Sequence, residues 1–519
     1  MRGVQTSVIN IRRRVYAEIA RLSYSYNGNL HEMYQQMEKI PYDIVPGEVS
    51  NYREDVFLER AILKERMRLA MGLPLRTAAE MSAVSQGAEE AAKPEKYYQP
   101  PLINIIKFAC HSCPDNEVRV TDSCQGCLAR PCKEVCPKKA ISVRDKRSSI
   151  DQSACIKCGK CIDVCPYGAI QRLVRPCANA CGMDAIGSDE YGRADIDQSK
   201  CVSCGMCLAN CPFGAIADKA QIFQLIQAIK SDVPVYAALA PAVTGQFGPD
   251  MPTNKIRSAF KALGFEDAIE VAIGADLCTI TEANDFIEEV PEKLPFMATS
   301  CCPAWSVMAK KLFPEQAKCI SMALTPMVLT GRLIKKEHPE CKVCFIGPCS
   351  AKKLEASRRS IRSDVDFVLT FEEVMGMFEA KEIDFKELPE VEVMHGASGD
   401  GRGFAIGGGV ANAVVNYIKE VYPEKEEIKV ASAQGLKECR KLLMAAKAGK
   451  YNGYLLEGMA CPAGCISGSG AIQPINKSKA TNLAQQKRAT NAHANTNRYQ
   501  DLLASLEEKD LAAPSENEK

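Results

Sequence analysis

The stretches CIKCGKCIDVCPYGAI at 155–170 and CVSCGMCLANCPFGAI at 201–216 repeat one pattern, C-x2-C-x2-C-x3-C-P followed by the same Gly-Ala-Ile ending. Around them, 16 of the chain's 26 cysteines fall between Cys110 and Cys211. A chain of 519 residues with 46% hydrophobic and 25% charged residues can bury a large core, so a short disulfide scaffold is excluded. Its 65 basic and 64 acidic side chains leave no global field for nucleic acid. No apolar run approaches the roughly 20 residues needed to span a bilayer. The segment after Arg12, Arg13 and Arg14 is broken by Glu18 and Arg21 and is no secretory h-region. A soluble, cytoplasmic protein is expected, where clustered thiols stay reduced and bind metal.

The repeated spacing is that of bacterial-type ferredoxins, in which three thiolates hold one [4Fe-4S] cube and the fourth, before Pro, reaches its neighbour. A zinc site takes four ligands in two separated pairs, and two full copies of the run argue against it. Cys124, Cys127, Cys132 and Cys136, ending in CPKKAI, form a related third set. By the crossover rule Cys124, Cys127, Cys132 and Cys165 hold one cube, and Cys155, Cys158, Cys161 and Cys136 another. RPCKEVCPKKAI at 130–141 matches RPCANACGMDAI at 175–186, so Cys181 completes the cube of Cys201, Cys204 and Cys207. Cys177 and Cys211 then need two more ligands, and Cys110 and Cys113 remain. That pair completes a fourth cube or stays a free surface pair; His111 between them could replace one thiolate or simply be solvated. Four cubes within about 100 residues suit an electron relay better than a structural staple.

Outward from this region, residues 1–100 show mixed helical patterns and a linker from Thr77, without a cysteine. Ferredoxin-like modules are expected at 105–168 and at 169–220, the second completed by 110–113. From Val233, apolar runs such as Val235–Ala240, Lys342–Ile346 and Asp366–Leu369 alternate with helical patterns, an α/β signature for 221–475. Residues 476–519 form a polar tail, expected to be partly disordered except for a helix near 497–507.

Three segments of the α/β region, TSCCPAW at 299–305, GPCSAKKLEA at 347–356 and EGMACPAGCISGSG at 457–470, resemble in order the signature segments of [FeFe]-hydrogenases. The resemblance extends over about 110–475 and implies a two-lobed α/β domain around an H-cluster, a [4Fe-4S] cube joined to a two-iron unit carrying CO, cyanide and an azadithiolate. It implies that Cys302, Cys349, Cys461 and Cys465 bind the cube, with Cys465 bridging, and that Cys301 exchanges the proton. It further implies that Lys352 hydrogen-bonds a cyanide, that Met459 packs on the two-iron unit, and that protons travel by Asp285, Ser321 and Glu282. The implied reaction is 2H⁺ + 2e⁻ ⇌ H₂, with ferredoxin or flavodoxin as carrier and H-cluster maturation proteins as further partners; neither nucleic acid nor membrane is implied. A thiol of ordinary pKa about 8.5 serves near neutrality if its surroundings lower it moderately.

The departures from the family pattern are Gly347 for Met, Ser469 in a Gly-Ser-Gly ending, Met327 for Gln, Ala242 for Ser and Glu289 for Arg. They mark a divergent subgroup with intact ligands and altered surroundings. A slow H₂ or redox sensor and a non-catalytic assembly relative are the alternatives. Gly401–Gly409 fails the dinucleotide spacing. Cys341 and Cys344 form a C-x2-C, but Cys344 lies in an apparent buried strand, which argues against a redox or metal role, and Cys278, Cys319 and Cys439 read as small buried hydrophobes.

Overall fold

The computed structural model describes residues 3–77, 79–93, 98–358, 360–391, 396–425 and 427–507. His395 and the tail beyond Glu507 lie outside the described residues.

Two parallel sheets frame the α/β region. One runs in the order Asp267–Glu270, Val235–Leu239, Lys342–Gly347, Phe367–Thr370; the other runs Met297–Ala298, Tyr454–Met459, Lys429–Gln434. Strands buried on both faces need near-continuous apolar runs, and Val235–Leu239 is buried at every position. Parallel pairing also aligns strand ends, and loops after the carboxyl ends are where such sheets build sites. Ser300 to Cys302 follow the strand ending at Ala298, and Pro348 and Cys349 follow Gly347. Ala460 to Cys465 follow Met459, and Pro241 and Ala242 follow the strand ending at Leu239.

The N-terminal region is part of this body. Helices Ser7–Ser25, Leu30–Ile44 and Val56–Ala70 begin at Thr6, Asn29 and Asp55, whose side chains accept from Ile9, Glu32 and Leu58 N–H groups. Val15, Tyr16, Ile19 and Ala20 share one core with the four-stranded sheet. The first helix lies on Phe371–Ala380, where a Cβ at Gly376 would meet Tyr16 Cβ at 2.5 Å. Arg12 pairs with Glu372 at 2.6 Å, and Tyr98 Oη donates to Val368 O at 2.8 Å.

The cysteine-rich modules are nested rather than consecutive, which moves the expected boundaries. Ile103–Ile105 pairs antiparallel with Ile216–Asp218, so 103–113 belongs with 175–218. The other module, strands Glu117–Val120 and Ile170–Leu173 with everything between them, is inserted after Cys113. The second half-motif lacks its first two cysteines because the insertion separates them from it. The inserted module has its own small core around Val118, Ile141 and Ile170.

The C-terminal segment is polar, as read, but ordered through Glu507. Helix Ile475–Lys487 buries Ser478, Asn482 and Gln485. Asn482 Nδ2 donates to Pro241 O at 3.0 Å and Arg402 O at 3.2 Å, and Asn497 Nδ2 donates to Asp276 Oδ2 at 3.1 Å. Hydrogen bonds from buried polar side chains, with a few apolar anchors such as Ala494 and Leu506, hold this segment, so hydropathy missed it. The C-terminal helix is shorter than expected, spanning Leu503–Glu507.

Candidate functional site

Three cavities of similar size are each lined by four cysteines. Cys124, Cys127, Cys132 and Cys165 line one of about 360 Å³. Cys136, Cys155, Cys158 and Cys161 line one of about 350 Å³. Cys110, Cys113, Cys177 and Cys211 line the third, of about 330 Å³. His111 is beside that third cavity, stacked on Phe213 with ring centroids 4.4 Å apart. Cys181, Cys201, Cys204 and Cys207 act on one another electrostatically. Among the described residues no group of three His, Cys, Asp or Glu side chains is placed to hold a single metal ion. Mononuclear zinc draws four ligands to about 2.0–2.3 Å. Thiols spaced around a central void fit a cube instead.

A larger cavity, about 820 Å³, opens between the two sheets and is lined by Cys302, Cys349, Cys461 and Cys465, with Cys301 beside them and Cys204 on the module side. Burial pushes the Cys349 thiol up to about 11 and raises Cys302 and Cys465 as well. Such thiols become thiolates only when a metal replaces their protons. The donor set therefore fits a bound cluster. Met459 packs with Phe404, Cys301 and Cys465. Lys352 lines the same cavity; burial opposes its charge, but Glu355 Oε2 at 2.6 Å outweighs this and holds the ammonium above its ordinary range.

Glu282 is fully buried on helix Ala272–Glu289. Its Oε1 accepts from Ser300 N–H at 2.8 Å and Ser300 Oγ at 3.2 Å, while Oε2 has no hydrogen-bond partner. Burial pushes its carboxyl up to about 7, against the hydrogen bonds of Ser300 and the influence of Ser321. Asp285, half-buried one turn on, is pushed up to about 6 by desolvation and then by Glu289, Glu507 and Glu288. Glu507 reaches this place from the C-terminal segment and accepts from Thr281 Oγ1 at 2.7 Å; its position there was not legible in the sequence. Burial, then Glu282, raises the Cys301 thiol well above its usual value. This corrects the expectation of a lowered thiol: desolvation and a neighbouring carboxylate both disfavour the thiolate.

The departures have physical counterparts. A Cβ at Gly347 would meet Phe345 Cε1 at 2.7 Å and Ala240 Cβ at 3.0 Å, so the Phe345 ring fills the space that a side chain at 347 needs. Ala242, Met327 and Phe345 all line the main cavity, giving it apolar walls. Ser469 hydrogen-bonds Ser350 at 2.8 Å. Gly401–Gly403 close the short helix Gly399–Gly403, and the turn after it leads into helix Gly409–Val421, whose first turn donates to the buried Glu457 carboxylate. Gly408 N–H donates to it at 2.6 Å and Ala411 N–H at 2.9 Å, taking the place a phosphate would need. Cys278, Cys319, Cys341, Cys344 and Cys439 are buried and line none of the cysteine-lined cavities, although Cys439 packs in the same core as Cys302 and Cys349.

Family models match three parts of the chain: "Iron only hydrogenase large subunit, C-terminal domain" over 233–469, "4Fe-4S binding domain" over 149–171 and "LdpA Fe-S cluster-binding domain" over 172–222. Iron hydrogenase 1 of Clostridium pasteurianum is 28% identical over 428 residues, covering 71% of this chain and 73% of that one. Cytosolic iron-sulfur assembly component 3 of Pongo abelii is 28% identical over 284 residues, covering 44% and 59%. Among solved structures, the [FeFe]-hydrogenase HydA1 of Chlamydomonas reinhardtii covers 54% of this chain and 94% of its own, at 21% identity and a TM-score of 0.43. Among the described residues no helix is long and apolar enough to cross a membrane.

Proposed function

The chain belongs, over residues 233–469, to the iron-only hydrogenase large-subunit family, and from this premise we propose that it catalyses 2H⁺ + 2e⁻ ⇌ H₂ at an H-cluster. Cys302, Cys349, Cys461 and Cys465 would hold the cubane part, with Cys465 bridging. When bound, the two-iron unit supplies the redox metal at which protons and electrons combine. Lys352 offers a buried cation to a cyanide ligand's negative charge, and Met459 and Phe404 exclude water. The Cys301 thiol, kept protonated by burial, holds the proton at Sγ. Glu282, poised near neutrality, receives it and passes it outward past Ser321 to Asp285.

Electrons would come from a soluble ferredoxin or flavodoxin through four cubes. The cube of Cys181, Cys201, Cys204 and Cys207 lies innermost, because Cys204 borders the main cavity. Installing the two-iron unit would require maturation proteins.

The observation that carries this reading is the pairing of a fifth cysteine, Cys301, with the buried Glu282 beside a four-cysteine set. A purely structural cube, as in an assembly protein, has no use for either. The apolar walls at Ala242 and Met327 favour, as a second reading, a cofactor-binding sensor of low turnover. Infrared spectra of the anaerobic, cofactor-loaded protein test both: CO and cyanide bands that shift when H₂ replaces argon support H₂ chemistry, and their absence removes it. Turnover assays separate enzyme from sensor. Cys301→Ala abolishes turnover at unchanged iron content; loss of iron instead makes Cys301 a ligand.

A further inference from the structure

Three arginines stand at the cavity of Cys110, Cys113, Cys177 and Cys211. Arg175 lines it and is 3% exposed. Its Nε and Nη2 donate to Cys113 O at 3.3 and 3.1 Å, and its other bonds go to Gly187 O and Gly192 O, both at 2.8 Å. The other two arginines come from the N-terminal layer, which none of the three family models reaches. Arg53 Nη2 donates to Ala109 O at 3.3 Å and to Phe213 O at 2.9 Å, and Arg66, 7% exposed, donates through Nη2 to Gly214 O. Ala109 adjoins Cys110, and Phe213 and Gly214 closely follow Cys211. Helix Val56–Ala70 is anchored at the same place, where Ile62 and Leu69 share a core with Cys177 and Cys211.

Buried charges are normally paired. In the same layer Arg12 pairs with Glu372 and Arg76 with Glu65, both at 2.6 Å. Among the described residues Arg53, Arg66 and Arg175 have no carboxylate partner. Glu59, the buried carboxylate next to Arg53, accepts instead from the backbone N–H groups of Asn51, Tyr52 and Arg53. Nε of both Arg53 and Arg66 is buried without a hydrogen bond, and burial pulls the Arg66 guanidinium down to about 10. The other cysteine sets have no such surroundings. Lys138 and Lys160 border the cavity of Cys136 and Cys155, but both are exposed. The described wall of the Cys124 cavity has neither lysine nor arginine, and Arg130, which matches Arg175 in the repeat, is only half-buried and lines neither cavity. Lys311, which donates to Cys201 O at 3.0 Å, is exposed. Buried cations in want of an anion are therefore gathered at one cavity of the four.

A cube held by four thiolates is an anion, and its one-electron reduction adds a further negative charge without making or breaking a bond. We infer that Arg53 and Arg66 of the N-terminal layer, together with Arg175, are the counter-charge of the cube of Cys110, Cys113, Cys177 and Cys211, and that they raise its potential above those of the other three relay cubes. Cations fixed beside a cube in a low-dielectric surrounding favour its more negative form. An electron received from a neighbouring cube, which is oxidised by one as this one is reduced by one, comes to rest here. The N-terminal layer thereby sets where the relay holds its charge. The inference rests on the reading that this cavity holds a cube.

The test is a dithionite titration of the full-length, cluster-loaded protein followed by electron paramagnetic resonance, which needs no H₂ chemistry. The signal missing from the variant Cys110→Ala with Cys113→Ala belongs to this cube, and in the parent it should be the first relay signal to appear. Arg53→Met with Arg66→Met is expected to shift its midpoint negative by about 59 mV or more, a ten-fold loss in the equilibrium constant for one-electron reduction, with the other signals near their parent values. Arg53→Lys with Arg66→Lys keeps the charge and should restore most of the potential. Arg53→Met alone, at the half-buried position, disturbs the fold least and should shift the midpoint in the same direction. Arg68→Met removes a buried arginine of the same helix whose bonds go to the carbonyls of Pro74, Val84 and Gln86, and should leave the midpoint in place. Iron and sulfide content checks that the cubes are present. A midpoint unmoved by the Met variants, not restored by Lys, or moved equally by Arg68→Met overturns the inference while the cube stands. A parent without any signal that depends on Cys110 and Cys113 removes the cube from the reading, and the inference with it.

Discussion

Lys353 Nζ, with none of its side chain exposed, donates to Asp218 Oδ2 at 2.8 Å and to Glu373 Oε1 at 2.5 Å. Asp218 ends the strand that closes the cysteine-rich modules, Lys353 lies on the helix after Cys349, and Glu373 begins the helix on which the N-terminal region rests. Ser350 Oγ also donates to Asp218, at 3.0 Å. One buried cation therefore ties the innermost module, a ligand-bearing loop and the N-terminal layer together. Lys353→Met leaves two carboxylates buried without their cation, a change that costs about 3–5 kcal/mol. The urea midpoint of the cluster-loaded protein should fall accordingly; an unchanged midpoint would show that the pair contributes nothing net.

Glu282→Gln keeps size and the acceptor for Ser300 but cannot take up a proton. Loss of a positioned acid–base group costs about 10²- to 10⁴-fold in rate. H₂ evolution should fall within this range while iron content and the argon infrared spectrum stay as in the parent. Rates within a factor of two would place the proton route elsewhere.

Asp276 is 0% exposed and accepts from Ser398 N–H at 2.8 Å and from Asn497 in the C-terminal segment. Burial pushes its carboxyl from 3.8 up to about 6, against these hydrogen bonds. The folded state thus binds the proton more tightly than the unfolded chain. Its contribution is fully present below pH 3.8 and is lost as pH rises through about 6, by about 3 kcal/mol at 1.36 kcal/mol per unit. In Asp276→Asn the stability curve over this window should be flatter, by denaturant titration at several pH values. A slope identical to the parent's would refute the linkage.

Gly347 and Phe345 form a complementary pair. Gly347→Met forces a side chain into the Phe345 ring, an overpacking cost of about 1–3 kcal/mol. Phe345→Ala alone leaves a void, and the double variant should recover most of the loss. A double-mutant cycle on thermal midpoints measures the coupling; strict additivity would mean that the two sites do not share the space.

Much of the site could be read along the chain because cube ligands are local. A peptide that turns around a cube places cysteines three residues apart, and the spacing survives in any one-dimensional record. Cys181 and Cys177 were legible for the same reason, through an echo of 130–141. The polar C-terminal segment was not, because Asn482 and Asn497 are held by carbonyls and a carboxylate far away in sequence, and composition reports only their affinity for water. The first 100 residues read as helices but not as part of the core, since an amphipathic face does not say what covers it.

Iron–sulfur domains, parallel strands and the likeness to the iron-only hydrogenase large subunit over 233–469 were legible along the chain, because they rest on short-range spacing and periodicity. Folding was needed to show that Ile103–Ile105 pairs with Ile216–Asp218, that Glu507 stands beside Asp285, that Phe345 fills the space over Gly347, and that Cys301 is driven toward its protonated form. These depend on desolvation and on contacts between residues distant in sequence, which exist only once the chain has folded.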